Sequence, residues 1–400
     1  MKPQDHAFPD FSRPNRRAVL RTMGLAASSL ALGVPSSGQE KSAPARPETN
    51  VADFLAVPRG PHALPGPFPG RVVQVTDRRC LVGDRVQGRV VAEMFEQGLA
   101  RLTGRPTKDS FKLFFTPTDV VGIKINPVGA PLLSTRVELV DAVISWLERG
   151  GLPRERMVIW DRFAPGLEEA GFTPARFPGV AIEGMQTMAG PGQSFRRADG
   201  SHLSLDQFDP EHFYVAKGVE GKGVRGYRDD EYYLNQHVVN GEVSYFGKLI
   251  TQRLTKIINL AVFKNTGNGV SMATKNIAYA AICNTGRLHV PLFFDVCTEV
   301  LAAPVVREKL VLSVIDGIRG QYEDGPGKNE KYMYPYHTLY LATDPFALDT
   351  VGHHHLLAKR KAMGVQVNEH PRFTDYLRYA ERLGLGVADP RQIQLLRVQA

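Results

Sequence analysis

The sequence predicts an α/β fold: a three-layer, mostly parallel sheet with helices on both faces and one inserted lid or small β subdomain. Two observations carry that expectation. Several runs rich in β-branched residues are each followed by a segment whose apolar residues recur at helical spacing. The runs are also near-continuous rather than alternating, as strands buried on both faces are. Hydrophobic residues make up 43% of the chain and charged residues 22%, enough apolar material to cover both sides of such a sheet.

Residues 1–38 read apart from the fold. Asn15-Arg16-Arg17-Ala18-Val19-Leu20-Arg21 precedes the apolar stretch Met23 to Val34, which has the length of a signal-peptide core and is too short to cross a bilayer. The paired arginines, the apolar residues after them and the next basic residue resemble a twin-arginine translocation signal. That resemblance implies a twin-arginine translocase as partner during export, passage in the folded state, and a periplasmic or extracytoplasmic location. Ser, Pro, Gln and Glu dominate residues 35–50, so residues 39–66 are expected to be a disordered tether, and 67–400 a single α/β domain. No later stretch approaches 18 uninterrupted apolar residues, so no stable membrane span is expected after cleavage.

The mature elements follow in order. Arg71 to Val75 predicts a strand, and Gln87 to Leu102 a helix with Val90, Met94, Phe95 and Leu99 on its inner face. Asp119 to Asn126 is an apolar strand with a polar end. Ser134 or Thr135 is expected to cap the helix that Gly150-Gly151 stops. Met157 to Asp161 and Val180 to Ile182 predict strands around a short helix. Alternation with short links argues for parallel βαβ units throughout. From about 186 to 247 the pattern breaks into a Gly-, Tyr- and charge-rich insertion. Lys256 to Val262 restores a strand. Helices follow from about Met272 to Cys283 and Val290 to Leu301, then strands at Leu310 to Asp316 and Leu339 to Asp344. A helix from Pro345 to about Lys359 and a terminal helix and strand complete the chain.

The formal charge is +8, but residues 1–38 carry five positive side chains against two acids, leaving about +5 scattered over the rest. That pattern argues against a nucleic-acid partner and suits an anionic small-molecule ligand. Cys80, Cys283 and Cys297 show no Cys-x-x-Cys spacing, so no intrinsic iron–sulfur cluster is expected.

Ligands of open α/β sheets bind beyond the carboxyl ends of the strands. The polar residues that close the strands are therefore the site candidates: Lys124 and Asn126, Asp161, Lys264 with Asn265, Asp316, and Asp344. An Asp there also serves as an ordinary turn or cap residue, whereas Lys124 has no capping role. In the segment Lys264 to Asn276, glycines, a helix amino terminus, Lys264, Lys275 and Asn276 together suit a carboxylate or phosphate, without the spacing of a nucleotide loop. Asn284, Arg287 and His289 follow in the next loop. Asp344 and Asp349 flank a strand-to-helix junction and are candidate ligands for a divalent metal. His353-His354-His355 cannot all face one ion on a helix, since consecutive residues point about 100° apart.

Val121 to Asn126, Ser134-Thr135, Ile159 to Arg162, Lys264 to Asn276, Asn284 to His289, Asp316-Gly317 with Gly325-Pro326, and Asp344 to Asp349 together resemble the domain-of-unknown-function 362 family, from about residue 118 to the end. The resemblance implies positions rather than a reaction. Some relatives carry ferredoxin-like cysteine motifs that this chain lacks. Where relatives often place His or Asp after the first lysine of Lys264 to Asn276, this chain has Asn265. Two functions are expected from these residues. One is an exported enzyme on an anionic small molecule, metal-assisted or not. Lys124, Lys264 and Lys275 would bind or polarise the molecule, and Asp161, Asp316 or His289 would serve as acid–base groups. The other is a non-catalytic periplasmic binding protein. The expected geometry has Lys124, Asp161, Lys264, Lys275 and Asp316 meeting in one cleft.

Overall fold

The computed structural model describes residues 46–186, 207–219, 242–289 and 292–400. A short helix α1 (Val51–Ala56) leads to β1 (Arg71–Thr76), a ribbon of β2 (Leu81–Val82) and β3 (Arg85–Val86), and helix α2 (Gly88–Thr103). Then come β4 (Val121–Lys124), α3 (Val137–Arg149), β5 (Met157–Phe163), α4 (Ala164–Glu169) and β6 (Ala181–Gln186). Strands β7 (Phe208–Val215) and β8 (Val243–Gly247) pair antiparallel as a separate sheet within the expected insertion. Residues 187–206 and 220–241 of that insertion lie outside the described residues. The second half holds β9 (Lys256–Thr266), β10 (Gly269–Val270), α5 (Ala273–Ala281), α6 (Asp295–Ala302), β11 (Leu310–Gln321) and β12 (Met333–Tyr334). It closes with β13 (Thr338–Ala342), α7 (Pro345–Ala362), α8 (Asp375–Arg382) and β14 (Gln394–Gln399).

The main sheet runs β14-β1-β13-β11-β9-β4-β5-β6, with β10 on β9 and β12 on β11. The fold is α/β and the sheet mostly parallel, as the apolar runs predict. One strand departs. β13 is antiparallel to both β1 and β11, because the link from β11 contains no crossover helix to carry the chain back to the starting edge.

Strand alternation feeds two layers of helix. Ile123 and Ile159 join one core with the inner faces of α2 and α3, while Val158 and Trp160 join another with α5, α6 and α8. A third patch, under α7, packs Ala347, Leu348 and Val351 on Ala261, Phe263 and Ile315.

Three local expectations need correction. The helix expected at Val290 to Leu301 begins at Asp295; residues 290 and 291 lie outside the described residues, and Leu292 and Phe294 fill the core from a loop. Neither Ser134 nor Thr135 is the cap of α3. Thr135 Oγ1 instead accepts from Asn126 N (2.8 Å) and donates to Leu260 O (2.7 Å), stitching the loop after β4 to β9. Residues 46–66, expected as part of a disordered tether, are packed on the domain. Val51, Phe54 and Leu55 recur at helical spacing and lie on the core of α5 and α6, an amphipathic signal that bulk composition averages away. Leu64 is buried, and its amide donates to Arg307 O at 3.0 Å. Residues 1–45, which hold the expected signal segment and the start of the expected tether, lie outside the described residues.

Candidate functional site

Strands β9, β4 and β5 are adjacent and parallel, so their carboxyl ends meet. Lys124 closes β4. Its Nζ lies 2.6 Å from Asp161 Oδ1 on β5 and donates to Ile125 O (2.5 Å) and Asn276 Oδ1 (3.0 Å) on α5. Asn276 Nδ2 donates in turn to Asn259 Oδ1 (2.8 Å) in the middle of β9, and Asn259 Nδ2 to Ala273 O (2.9 Å). One polar chain thus joins β5, β4, α5 and β9. Lys264, near the end of β9, donates from Nζ to Asn126 Oδ1 (3.0 Å) and Val128 O (2.6 Å). The two lysines are 1% and 0% exposed, so neither is solvated by bulk water. Burial lowers the pKa of Lys124, with Asp161 pulling the other way. Lys264 sits well below the ordinary lysine value, first through burial and then through the charges of Lys275 and Lys124.

Lys275 completes the group from the first turn of α5, where it is half-buried. Its Nζ stands 5.1 Å from the centroid of the Tyr279 ring and 5.2 Å from that of Phe293. His289 packs against both rings, at 4.8 and 5.2 Å between centroids. Burial brings the Lys275 ammonium down to about 8. No carboxylate of the described residues pairs with Lys275, and none of their atoms accepts a hydrogen bond from it. The electrostatics of the cluster therefore involve three amines and one carboxylate, Asp161.

Of the five side chains expected in one cleft, Lys124, Asp161, Lys264 and Lys275 come together, joined by Asn126 and Asn276, and Asp316 does not. They form a largely buried cluster rather than an open rim, and the remaining candidates are engaged elsewhere. Asp316 accepts from Arg136 N (2.9 Å) at the start of α3 and from Ile318 N (3.1 Å), and makes no ion pair with the lysines. It does not share their cleft. Asp344 accepts from four backbone amides, those of Gly70, Phe346, Ala347 and Val387, at 2.8 to 3.1 Å. Asp349 accepts from Ala273 N (2.7 Å), Thr274 N (3.0 Å) and Thr274 Oγ1 (2.6 Å). Both carboxylates are saturated by donors, which corrects their assignment as metal ligands. Among the described residues no group of three or more His, Cys, Asp or Glu could hold a metal ion.

Asp349 also occupies the amino terminus of α5, so those amides are not open to an anion as the glycine-rich segment suggested; only its lysines and Asn276 reach the cluster. Asn265 braces a turn, accepting from Gly325 N (2.9 Å) and donating to Gly267 O (2.9 Å). Asn284 donates to Val243 O (2.9 Å). Arg287, fully buried, donates to Val219 O (2.8 Å) and Ser244 Oγ (2.8 Å), so both residues fasten the β7–β8 sheet to the domain. His289 Nδ1 lies 3.1 Å from Thr285 O, and the ring serves as a wall beside Lys275.

Sequence reading missed Asn259, Tyr279 and Phe293. A polar Asn259 inside the apolar run Ile257 to Val262 was a usable signal, because a buried amide needs partners. Tyr279 falls four residues after Lys275, on the same helix face.

Residues 213–354, about a third of the chain, match the family described as Domain of unknown function (DUF362). The matched span contains Lys264, Lys275 and Asn276, while Lys124, Asn126 and Asp161 lie before it. No curated protein and no solved structure matches the chain significantly. No helix of the described residues is long and apolar enough to cross a membrane.

Proposed function

We propose that this chain, which carries a DUF362 domain at residues 213–354, binds a small anion, a carboxylate or phosphate, among Lys124, Lys264 and Lys275 and acts on it as an enzyme. The single observation behind this reading is charge imbalance. Three amines share a largely buried site with one carboxylate, and burying uncompensated ammonium groups is expensive unless they deprotonate or an anion joins them. Asp161, ion-paired to Lys124 at 2.6 Å, is the acid placed to exchange a proton with whatever binds there. The twin-arginine-like segment supports export in the folded state, with the site assembled before translocation.

A second reading, a binding protein without turnover, has its own support: Asp316, Asp344 and Asp349 are consumed by backbone amides and are not available as acid–base groups. Native mass spectrometry of the exported protein, with calorimetric titration of acetate and inorganic phosphate, tests both. A retained or titratable anion lost in Lys264→Gln is the expected result, and consumption of the retained molecule separates enzyme from binder. Failure of carboxylates and phosphate alike to bind the wild-type protein at low ionic strength sinks the reading.

A further inference from the structure

The three lysines of the site differ in what occupies their hydrogens. Lys124 is held by Asp161, Ile125 O and Asn276, and Lys264 by Asn126 and Val128 O. Lys275 makes neither hydrogen bond nor ion pair with the described residues, and it alone of the three is half-buried rather than fully enclosed. It lies over the rings of Tyr279 and Phe293, which are themselves in contact at 6.0 Å between centroids. An amine that is unengaged, partly reachable, desolvated by aromatic walls and adjacent to other cationic side chains has the surroundings of a nucleophilic lysine.

Resting on the anion site proposed above, we infer that Lys275 forms an imine with a small acid bearing a carbonyl group, such as a 2-oxo acid, while Lys264, which keeps one uncommitted hydrogen, receives its carboxylate. The step balances without an oxidant. The unprotonated Nζ attacks the carbonyl carbon to give a carbinolamine, and the two amine hydrogens then leave with the carbonyl oxygen as water. If the imine takes up a proton, the faces of Tyr279 and Phe293 stabilise the resulting cation as they do the ammonium. The depressed proton affinity of Lys275, about 8, supplies a useful fraction of neutral amine near neutrality.

The test is reductive trapping. The full-length protein is incubated with pyruvate or glyoxylate and sodium cyanoborohydride, and the modified residue is located by peptide mass mapping. The expected result is one reduced adduct per chain, on Lys275. It should be lost in Lys275→Arg, which keeps the charge but forms no imine, and in Lys275→Met, which keeps an apolar stem beside the rings. Labelling spread over surface lysines at equal rates overturns the inference. Absence of an adduct while pyruvate and propionate both bind saturably overturns the imine and leaves the anion site standing. Absence of both adduct and binding overturns both for this class of acid.

Discussion

At the scale of the residue, the site is governed by how many ammonium groups one carboxylate can support. Lys264 has only neutral acceptors, Asn126 Oδ1 and Val128 O, so replacing it with Met removes an anion partner without stranding a buried acid. Lys264→Met should weaken anion binding at least about tenfold, read by calorimetry at fixed ionic strength, since a desolvated charge pair is worth more than an exposed one. Lys275 gives opposed pH dependences. The charged and titratable groups around it are Lys264 and Lys124 on the strands, Asp161 beyond them, Cys297 on α6, and the rings of Tyr279 and His289. Its ammonium is lost as pH rises through about 8, so carboxylate affinity should fall across that range. The rate of reductive trapping should climb over the same range as neutral amine accumulates. Parallel rather than opposed profiles would show that another group controls one of them.

At the scale of the element, carboxylates on one strand or helix terminate another. Asp316 on β11 takes the amide at the entrance to α3, and Asp349 on α7 takes the first amides of α5. Asp316→Ala leaves two backbone donors unsatisfied and should cost about 2 kcal/mol by urea denaturation, with trapping at Lys275 unchanged in the folded fraction. Asp349→Ala strands two amides and a hydroxyl at the helix that carries Lys275 and Asn276, and should cost about 3 kcal/mol while also loosening anion binding. Burial raises the folded pKa of Asp349 from 3.8 to about 6, so the stability it contributes is full below 3.8 and is lost as pH rises toward 6. Between pH 4 and 7 the wild-type protein should therefore lose more stability than Asp349→Asn. These roles explain where the sequence was legible and where it was not. Lys124 could be singled out because a lysine ending a buried strand has no local use. An Asp in the same place reads identically whether it faces a ligand or the amides of a helix distant in sequence, and only the strand order tells which. The direction of β13 was hidden for a related reason: apolar character fixes that a strand is buried, while the connection before it fixes which way it runs.

At the scale of the whole molecule, the segment ahead of the α/β core is tied to it through one buried acid. Glu299 on α6 is fully enclosed and receives Arg46 from the N-terminal segment, the Tyr214 hydroxyl from β7 and the Tyr379 hydroxyl from α8. Four separated parts of the chain meet there, and Asp295 adds a second contact to Arg46 at 3.2 Å. Burial raises the pKa of Glu299 while its donors hold it down, so its ionised state depends on keeping them. Arg46 is partly exposed, which screens its charge, and both tyrosine hydroxyls remain when it is removed. Arg46→Ala should therefore cost only about 1–2 kcal/mol in global stability, less than breaking a fully buried pair. Its larger effect should be local. With Arg46 gone, the segment keeps the packing of Val51, Phe54 and Leu55, the Asn50 bonds to β7, the Thr49–Ala216 bridge and the Arg307 bonds to Phe54 O and Val57 O, but no tie to Glu299 from residue 46, so its amino-terminal end should open before the core does. Hydrogen exchange should then show faster exchange in α1 and β7, with β9 and β4 unchanged. Equal acceleration in β9 would mean that Glu299 supports the lysine site itself rather than the attachment of the flanking segments.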